Sequence, residues 1–114
     1  MMDQLYQVRP LFRNERAFTD SIKRAARTFG WKCYHTFDSR RSSPGYPDLT
    51  LVRNGRLIFA ELKMPRGRLS DYQRGWINEL QEAGQEIHVW KPENWDEILD
   101  ILQGDEDAPR DCPH

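Results

Sequence analysis

The chain has 114 residues, 38% hydrophobic and 31% charged, with a formal net charge of −1. That is one domain's worth of chain, long enough to bury a single core without staples. No run of about 18 apolar residues is present to span a bilayer, Met1–Arg13 lacks the apolar stretch of a signal peptide, and two cysteines, Cys33 and Cys112, make no disulfide framework; a soluble, cytoplasmic chain without a membrane partner is expected.

The charge is unevenly spread. From Arg9 to Arg74 there are fifteen Lys/Arg against six Asp/Glu, and from Gly75 to His114 two against eleven. A basic segment of that size fits a polyanionic partner, and solvated helix faces would account for it equally well.

In chain order, residues 1–13 read as an N-terminal arm. Asn14 looks like an N-cap, and Phe18, Ile22, Ala25 and Phe29 then recur at helical spacing until Gly30 stops the helix. Trp31–Phe37 is a strand candidate rich in aromatics, and Asp38–Pro47 is a loop by composition. Leu49–Val52 and Leu57–Leu62 are short β-type runs joined by Asn54-Gly55, a strong hairpin signal because a type I′ turn needs positive φ at both positions. Met64–Leu69 is a basic loop. Ser70 opens a second helix with Trp76, Ile77, Leu80 and Ala83 as its apolar face and Gly84 as its stop. Glu86–Trp90 reads as a strand, and Pro92 introduces a last helix carrying Trp95, Ile98, Leu99 and Leu102, ended by Gly104. Residues 104–114 form an acidic tail with no apolar period, expected to be disordered. The order is α-β-β-β-α-β-α, an α/β fold with a central mixed sheet flanked by helices. A right-handed crossover would make the last strand parallel to the one before it.

The hairpin juxtaposes functional groups. With a two-residue turn at Asn54-Gly55, Thr50 faces Phe59 and Asp48 faces Glu61, their Cβ atoms roughly 5 Å apart. Lys63 points to the same face and lies diagonal to Asp48. Two facing carboxylates repel each other, so stability alone would not select them; a divalent cation removes the conflict, and Mg²⁺ is held by one or two carboxylates, waters and phosphate oxygens. A lysine beside such a pair can orient or deprotonate a water, or stabilise charge on a phosphate. A lysine bridging two edge carboxylates for structural reasons is the competing reading.

Pro47-Asp48 followed by Glu61-Leu62-Lys63 is the PD-(D/E)xK pattern of restriction-endonuclease-like nucleases. The stretch from Ser39 to Ile98, with GYPDLTLV, FAELKMPRGRLSDYQ and EAGQEIHVW, resembles the virus-type replication-repair nuclease (VRR-NUC) domain, and the similarity runs from about Glu15 to Leu102. The resemblance implies a nuclease domain over residues 14–103. It casts Asp48 and Glu61 as metal-binding carboxylates, Leu62 as a carbonyl ligand, and Lys63 as the catalytic lysine. Glu15 becomes an acidic residue near the metal, and Gln73 the glutamine that follows the E-x-K strand. Stand-alone phage and bacterial members resemble homodimeric, Mg²⁺- or Mn²⁺-dependent enzymes of DNA repair acting on branched DNA such as four-way (Holliday) junctions, with no organic cofactor. A phage-encoded member would work in the bacterial host cytoplasm.

The residues keep their own readings beside the resemblance. Glu15 falls in line with the buried stripe of the first helix, where a carboxylate needs a partner; it also suits the helix dipole. Ser70 and Gln73 form a capping box, a role compatible with a site role for Gln73. Arg40, Arg41, Ser42 and Ser43 before Asp48, and Arg66 and Arg68 after Lys63, are expected to contact phosphates of DNA, branched or duplex. Tyr46 and Tyr72 are expected to pack, with stacking on bases or sugars as the alternative. His35 and His88, each a lone histidine in a β run, read as structural, with a place at the edge of the site as the alternative for His35, which shares a face with Cys33 and Phe37. The alternatives to an endonuclease of branched DNA are a restriction-type endonuclease and a non-catalytic nucleic-acid-binding module with the same fold.

Overall fold

Asn14 starts the first helix, α1 (Glu15–Thr28), by turning extended and accepting the Ala17 N–H on its side-chain oxygen at 2.9 Å, which satisfies one orphan donor of the first turn. The helix closes where Gly30 adopts a φ of +87°. There the Gly30 N–H donates to the Arg27 carbonyl and the Trp31 N–H to the Ala26 carbonyl, the paired bonds of a Schellman motif. These contacts belong to a computed structural model that describes residues 12–36 and 43–104. Apart from Phe12, Arg13 and Gly104, the expected arm and acidic tail lie outside the described residues, as do Phe37, Arg40, Arg41, Ser42 and Cys112.

Four strands form one sheet in the order β1 (Lys32–His35), β2 (Leu49–Arg53), β3 (Arg56–Leu62), β4 (Glu86–Trp90). The β1–β2 and β2–β3 pairs are antiparallel and β3–β4 is parallel, across the crossover helix α2 (Asp71–Glu82). A 3₁₀ turn at Pro92–Asn94 leads into α3 (Trp95–Gln103). The order is α-β-β-β-α-β-α and the class is α/β, as read from the sequence. Strand β1 begins one residue later than expected because Trp31 closes the α1 motif instead: its ring is buried and its Nε1–H donates to the Leu102 carbonyl at 2.8 Å.

The core lies on one face of the sheet. Leu49, Leu51, Ile58, Ala60, Leu62 and Trp90 meet Phe18, Ile22, Ala25 and Ala26 of α1 and Trp95, Ile98, Leu99 and Leu102 of α3. Arg53 ties this layer together from below. Its guanidinium donates to the Phe29 carbonyl at 3.0 Å and the Leu102 carbonyl at 2.8 Å, over the Trp31 ring at 4.7 Å, so a cation sits where two helices expose their last carbonyls. Helix α2 covers the other face, packed against β4. Of the apolar face expected for it, only Ile77 is buried; Trp76 and Leu80 are half-buried and Ala83 is exposed. A helix covering one edge of a sheet has fewer neighbours to bury against than one packed between a sheet and a second helix. Among the described residues, no helix is long and apolar enough to cross a membrane.

Candidate active site

The site is built by the hairpin. Asn54 and Gly55 adopt positive φ of 49° and 82°, as a type I′ turn requires. They fix the register from Arg53↔Arg56 to Leu49↔Ala60. One residue beyond that ladder Asp48 comes opposite Glu61. Here the strand edge is closed by a side chain: Asp48 Oδ2 accepts the Leu62 N–H at 2.9 Å.

Glu61 points to the α2 face and is 2% exposed. Its Oε1 accepts from Gln73 Nε2 at 3.2 Å. Its Oε2 is sealed from solvent and has no hydrogen-bond partner, an arrangement that costs free energy in a folded protein. Burial, then the adjacent Asp48 carboxyl, push the Glu61 pKa from 4.5 up to about 9; Lys63 opposes the rise and Glu15 adds to it. Gln73 does two things at once. Its Oε1 accepts the Ser70 N–H at 2.8 Å while Ser70 Oγ accepts the Gln73 N–H at 3.1 Å, so the capping box of α2 fixes the amide and leaves Nε2 aimed at Glu61.

Lys63 follows β3, its backbone N–H donating to the Trp90 carbonyl at 2.9 Å and its side chain half-buried. The chain then turns sharply at Met64–Gly67, closed by the Gly67 N–H on the Met64 carbonyl at 2.8 Å. A Cβ at Gly67 would lie 3.3 Å from Lys63 Cδ, so the turn backs the lysine stem closely. Arg66 and Arg68 stand exposed on this loop.

Two contributors were not read from the sequence. Ser43-Pro44-Gly45-Tyr46 is a turn closed by the Tyr46 N–H on the Ser43 carbonyl at 3.2 Å, with Gly45 at φ +83°, the geometry of a type II turn. A Cβ on Gly45 would overlap the backbone of Tyr72 and Gln73. The turn that precedes Asp48 is thus seated on the first turn of α2. Trp76 Nε1–H on the Pro44 carbonyl at 3.1 Å and Tyr46 edge-on to Trp76 at 4.9 Å hold it there. Thr36 is the other contributor: its N–H donates to the Asp48 carbonyl at 2.9 Å and its hydroxyl to the Pro47 carbonyl at 3.0 Å. The Pro44-Gly45 dipeptide signals a turn in the sequence, but nothing in the sequence names what the turn sits on.

The other expected residues divide. Tyr46 packs, against Trp76 and Phe59. The expectation that Tyr72 packs is corrected: the Gly45 turn occupies the space beside its backbone, and the residue is 68% exposed. Glu15 lies on the helical stripe of Phe18 and Ile22 by spacing, but at the first position of α1 it is exposed and not buried. It lines a cleft of about 480 Å³ with Arg16, Thr19, Asp20, Lys23, His35 and Asp48, which puts His35 at the edge of the site. Among the described residues, no three carboxylate, His or Cys groups converge closely enough to hold an ion; Asp48 and Glu61 form the pair, and Glu15 stands across the cleft. Ser43 is exposed. His88 is structural, stacked on Trp90 and bonded to Glu86 at 2.7 Å.

The VRR-NUC domain model matches residues 9–92. A solved structure described as a VRR_NUC domain superposes with a TM-score of 0.63 at 19% identity, covering 75% of this chain and 92% of that one, which shows the shared fold. No curated protein sequence matches significantly. Matched over most of its length by that model, and carrying the fold, the chain belongs to the VRR-NUC family of nuclease-type domains.

Proposed function

We propose that the protein is a metal-dependent endodeoxyribonuclease that hydrolyses DNA phosphodiester bonds, selective for branched DNA such as four-way junctions. The observation that carries this reading is the carboxylate pair Asp48/Glu61, with one Glu61 oxygen held by Gln73 and the other buried without a donor. A sealed, unpartnered carboxylate oxygen beside a second carboxylate suits a hard divalent cation. Mg²⁺ or Mn²⁺ would be held by Asp48 and Glu61, with the Leu62 carbonyl as a further oxygen donor and Glu15, across the cleft, acting through water. When bound, the ion lowers the pKa of water and neutralises charge on the phosphoryl group.

The chain's own residues do the rest. The Leu62 N–H and the Gln73 amide fix the two carboxylates before substrate arrives, so no reorganisation is needed at the reaction. The Lys63 ammonium donates to the phosphoryl oxygens as charge gathers on them. A water oxygen forms the new P–O bond in line with the bond to the departing sugar oxygen, which leaves with a proton. Ser43, Arg66 and Arg68, with Arg40, Arg41 and Ser42, hold the backbone phosphates, giving affinity without sequence readout. Contacts of this kind read the shape of the DNA and not its sequence. A two-fold homodimer would present two sites to two strands of a junction. The setting in this reading is the cytoplasm, in DNA repair.

The test is cleavage of labelled four-way junction, flap, linear duplex and single-stranded DNA with Mg²⁺, Mn²⁺ or EDTA, by the protein and by Lys63→Ala. Metal-dependent cutting that falls about 10²–10⁴-fold in the variant is expected. Cutting of linear duplex at one sequence would replace the junction reading with a restriction-type one. Tight, salt-sensitive junction binding with no cutting would make the domain a binding module.

A further inference from the structure

The outer side of α1 carries cations that the site does not use. Arg16, Lys23 and Arg27 recur at i, i+7 and i+11, one face of the helix. Arg16 and Lys23 line the cleft that reaches Asp48. Lys23 continues, with Arg24, Arg27 and Thr28, into a second cleft of about 480 Å³, the two clefts sharing Asp20 and Lys23. The walls therefore run unbroken from Asp48 to Arg27. Beyond the carboxylates at the catalytic end they hold four cations and one carboxylate, Asp20. Among the described residues, no ion pair engages these cations. Lys23 and Arg27 also lie over β1: burial raises the Cys33 thiol pKa, and the charges of both side chains oppose that rise.

We propose that this groove is a track for the DNA backbone, carrying one arm of the substrate away from the cut along α1. The inference rests on the nuclease reading for its ligand and adds the direction in which the DNA leaves. From Arg16 to Arg27 the helix rises about 16 Å. At one phosphate per about 3.4 Å of duplex axis on each strand, that length faces about five phosphates. The loop arginines Arg66 and Arg68 follow β3, whereas the track lies along α1, so the scissile phosphate is gripped from two directions. Cations without base-reading partners supply affinity and orientation and no sequence preference, as a shape-selective enzyme requires.

Binding of the full chain to labelled duplex and four-way junction, measured by anisotropy in EDTA from about 50 to about 200 mM salt, tests the track. Lys23→Gln and Arg27→Gln should each make the slope of log K against log salt shallower by about 1, and the double variant by about 2. Lys32→Gln removes an exposed charge from β1 outside both clefts and should leave the slope unchanged. Slopes equal to the wild type in the double variant, or an equal loss in Lys32→Gln, overturn the track. The readout is independent of cleavage. A chain that cuts nothing but shows the stated slopes loses the nuclease reading and keeps a DNA-binding track; one that cuts with unmoved slopes keeps the nuclease reading and loses the track.

Discussion

The two faces of the sheet are built to different standards. On the face covered by α1 and α3, sixteen of the described residues form one buried apolar cluster. On the face covered by α2, the buried side chains of the strands and helix reduce to Phe59, Ile77 and Glu61, and one of these is a carboxyl with an oxygen left unpartnered. The first face stabilises the domain; the second tolerates a defect in stability where the chemistry is proposed. Natural sequences break the rules of polar satisfaction at functional sites and offset the cost elsewhere. Here the offset lies one sheet thickness away, and the hairpin that spans both faces couples the two.

Truncating the core face should have the largest effect on the fold. Leu51→Ala opens a cavity among fully buried neighbours and should cost about 2–5 kcal/mol, read as a lower urea midpoint. Ile77→Ala, the same kind of truncation beneath α2, should cost less because the thinner layer can collapse. An equal or larger loss at Ile77 would break the comparison. Gly45→Ala comes next. The residue sits at φ +83° and its new methyl would meet the backbone of Tyr72 and Gln73. Strain of about 1–3 kcal/mol is expected, together with a fall in kcat as the start of α2 shifts Gln73 off Glu61. Unchanged turnover would show that the turn does not position the glutamine.

Glu61→Gln sharpens the contrast through pH. The folded pKa of about 9 lies above the ordinary 4.5, so the folded state holds a proton that the unfolded state releases between these values. Stability is then fully present below about pH 4.5 and lost as pH rises towards 9. In EDTA the variant, uncharged throughout, should match the wild type near pH 5 and be the more stable protein, with the higher Tm, near pH 9. In Mg²⁺ the order should reverse, because only the wild type gains from the cation. A wild-type Tm that is flat from pH 5 to 9 in EDTA would remove the buried, protonated carboxyl from the account.

Most of the fold was legible because its signals are local. Asn14, Gly30, Asn54-Gly55, Ser70 and Gly84 each act within a few residues of themselves, and each does in the structure what its residue type implies. The facing of Asp48 and Glu61 was legible for the same reason, since a two-residue turn fixes the whole register behind it. What escaped depends on contacts distant in sequence. That Gly45 abuts α2, that Thr36 holds Pro47 and Asp48, and that Lys23 and Arg27 continue the wall beyond Asp48 follow from how elements are stacked, and no periodicity encodes stacking. The misreading of Tyr72 has the same origin: its place at the start of α2 is legible, but that the Gly45 turn seats on its backbone and leaves its ring exposed is not.

Tyr72 also gives the smallest expected effect on the fold. At 68% exposure its ring contributes little to packing, and Tyr72→Ala should shift stability by no more than about 0.5 kcal/mol. The ring nonetheless stands one residue from Gln73 and lines a cleft with Pro44 and Trp76, and under the proposed function it offers a stacking surface to an unstacked base. Base–aromatic stacking is worth about 1–3 kcal/mol by alanine substitution, so the variant should bind junction or single-stranded DNA about tenfold more weakly while its Tm stays in place. Fully base-paired linear duplex, with no unstacked base to offer, should bind both proteins alike. A uniform loss across all three substrates would mean that Tyr72 acts on the backbone or on α2 itself, and a loss of Tm would mean that the α2 face carries more of the fold than its sparse core suggests.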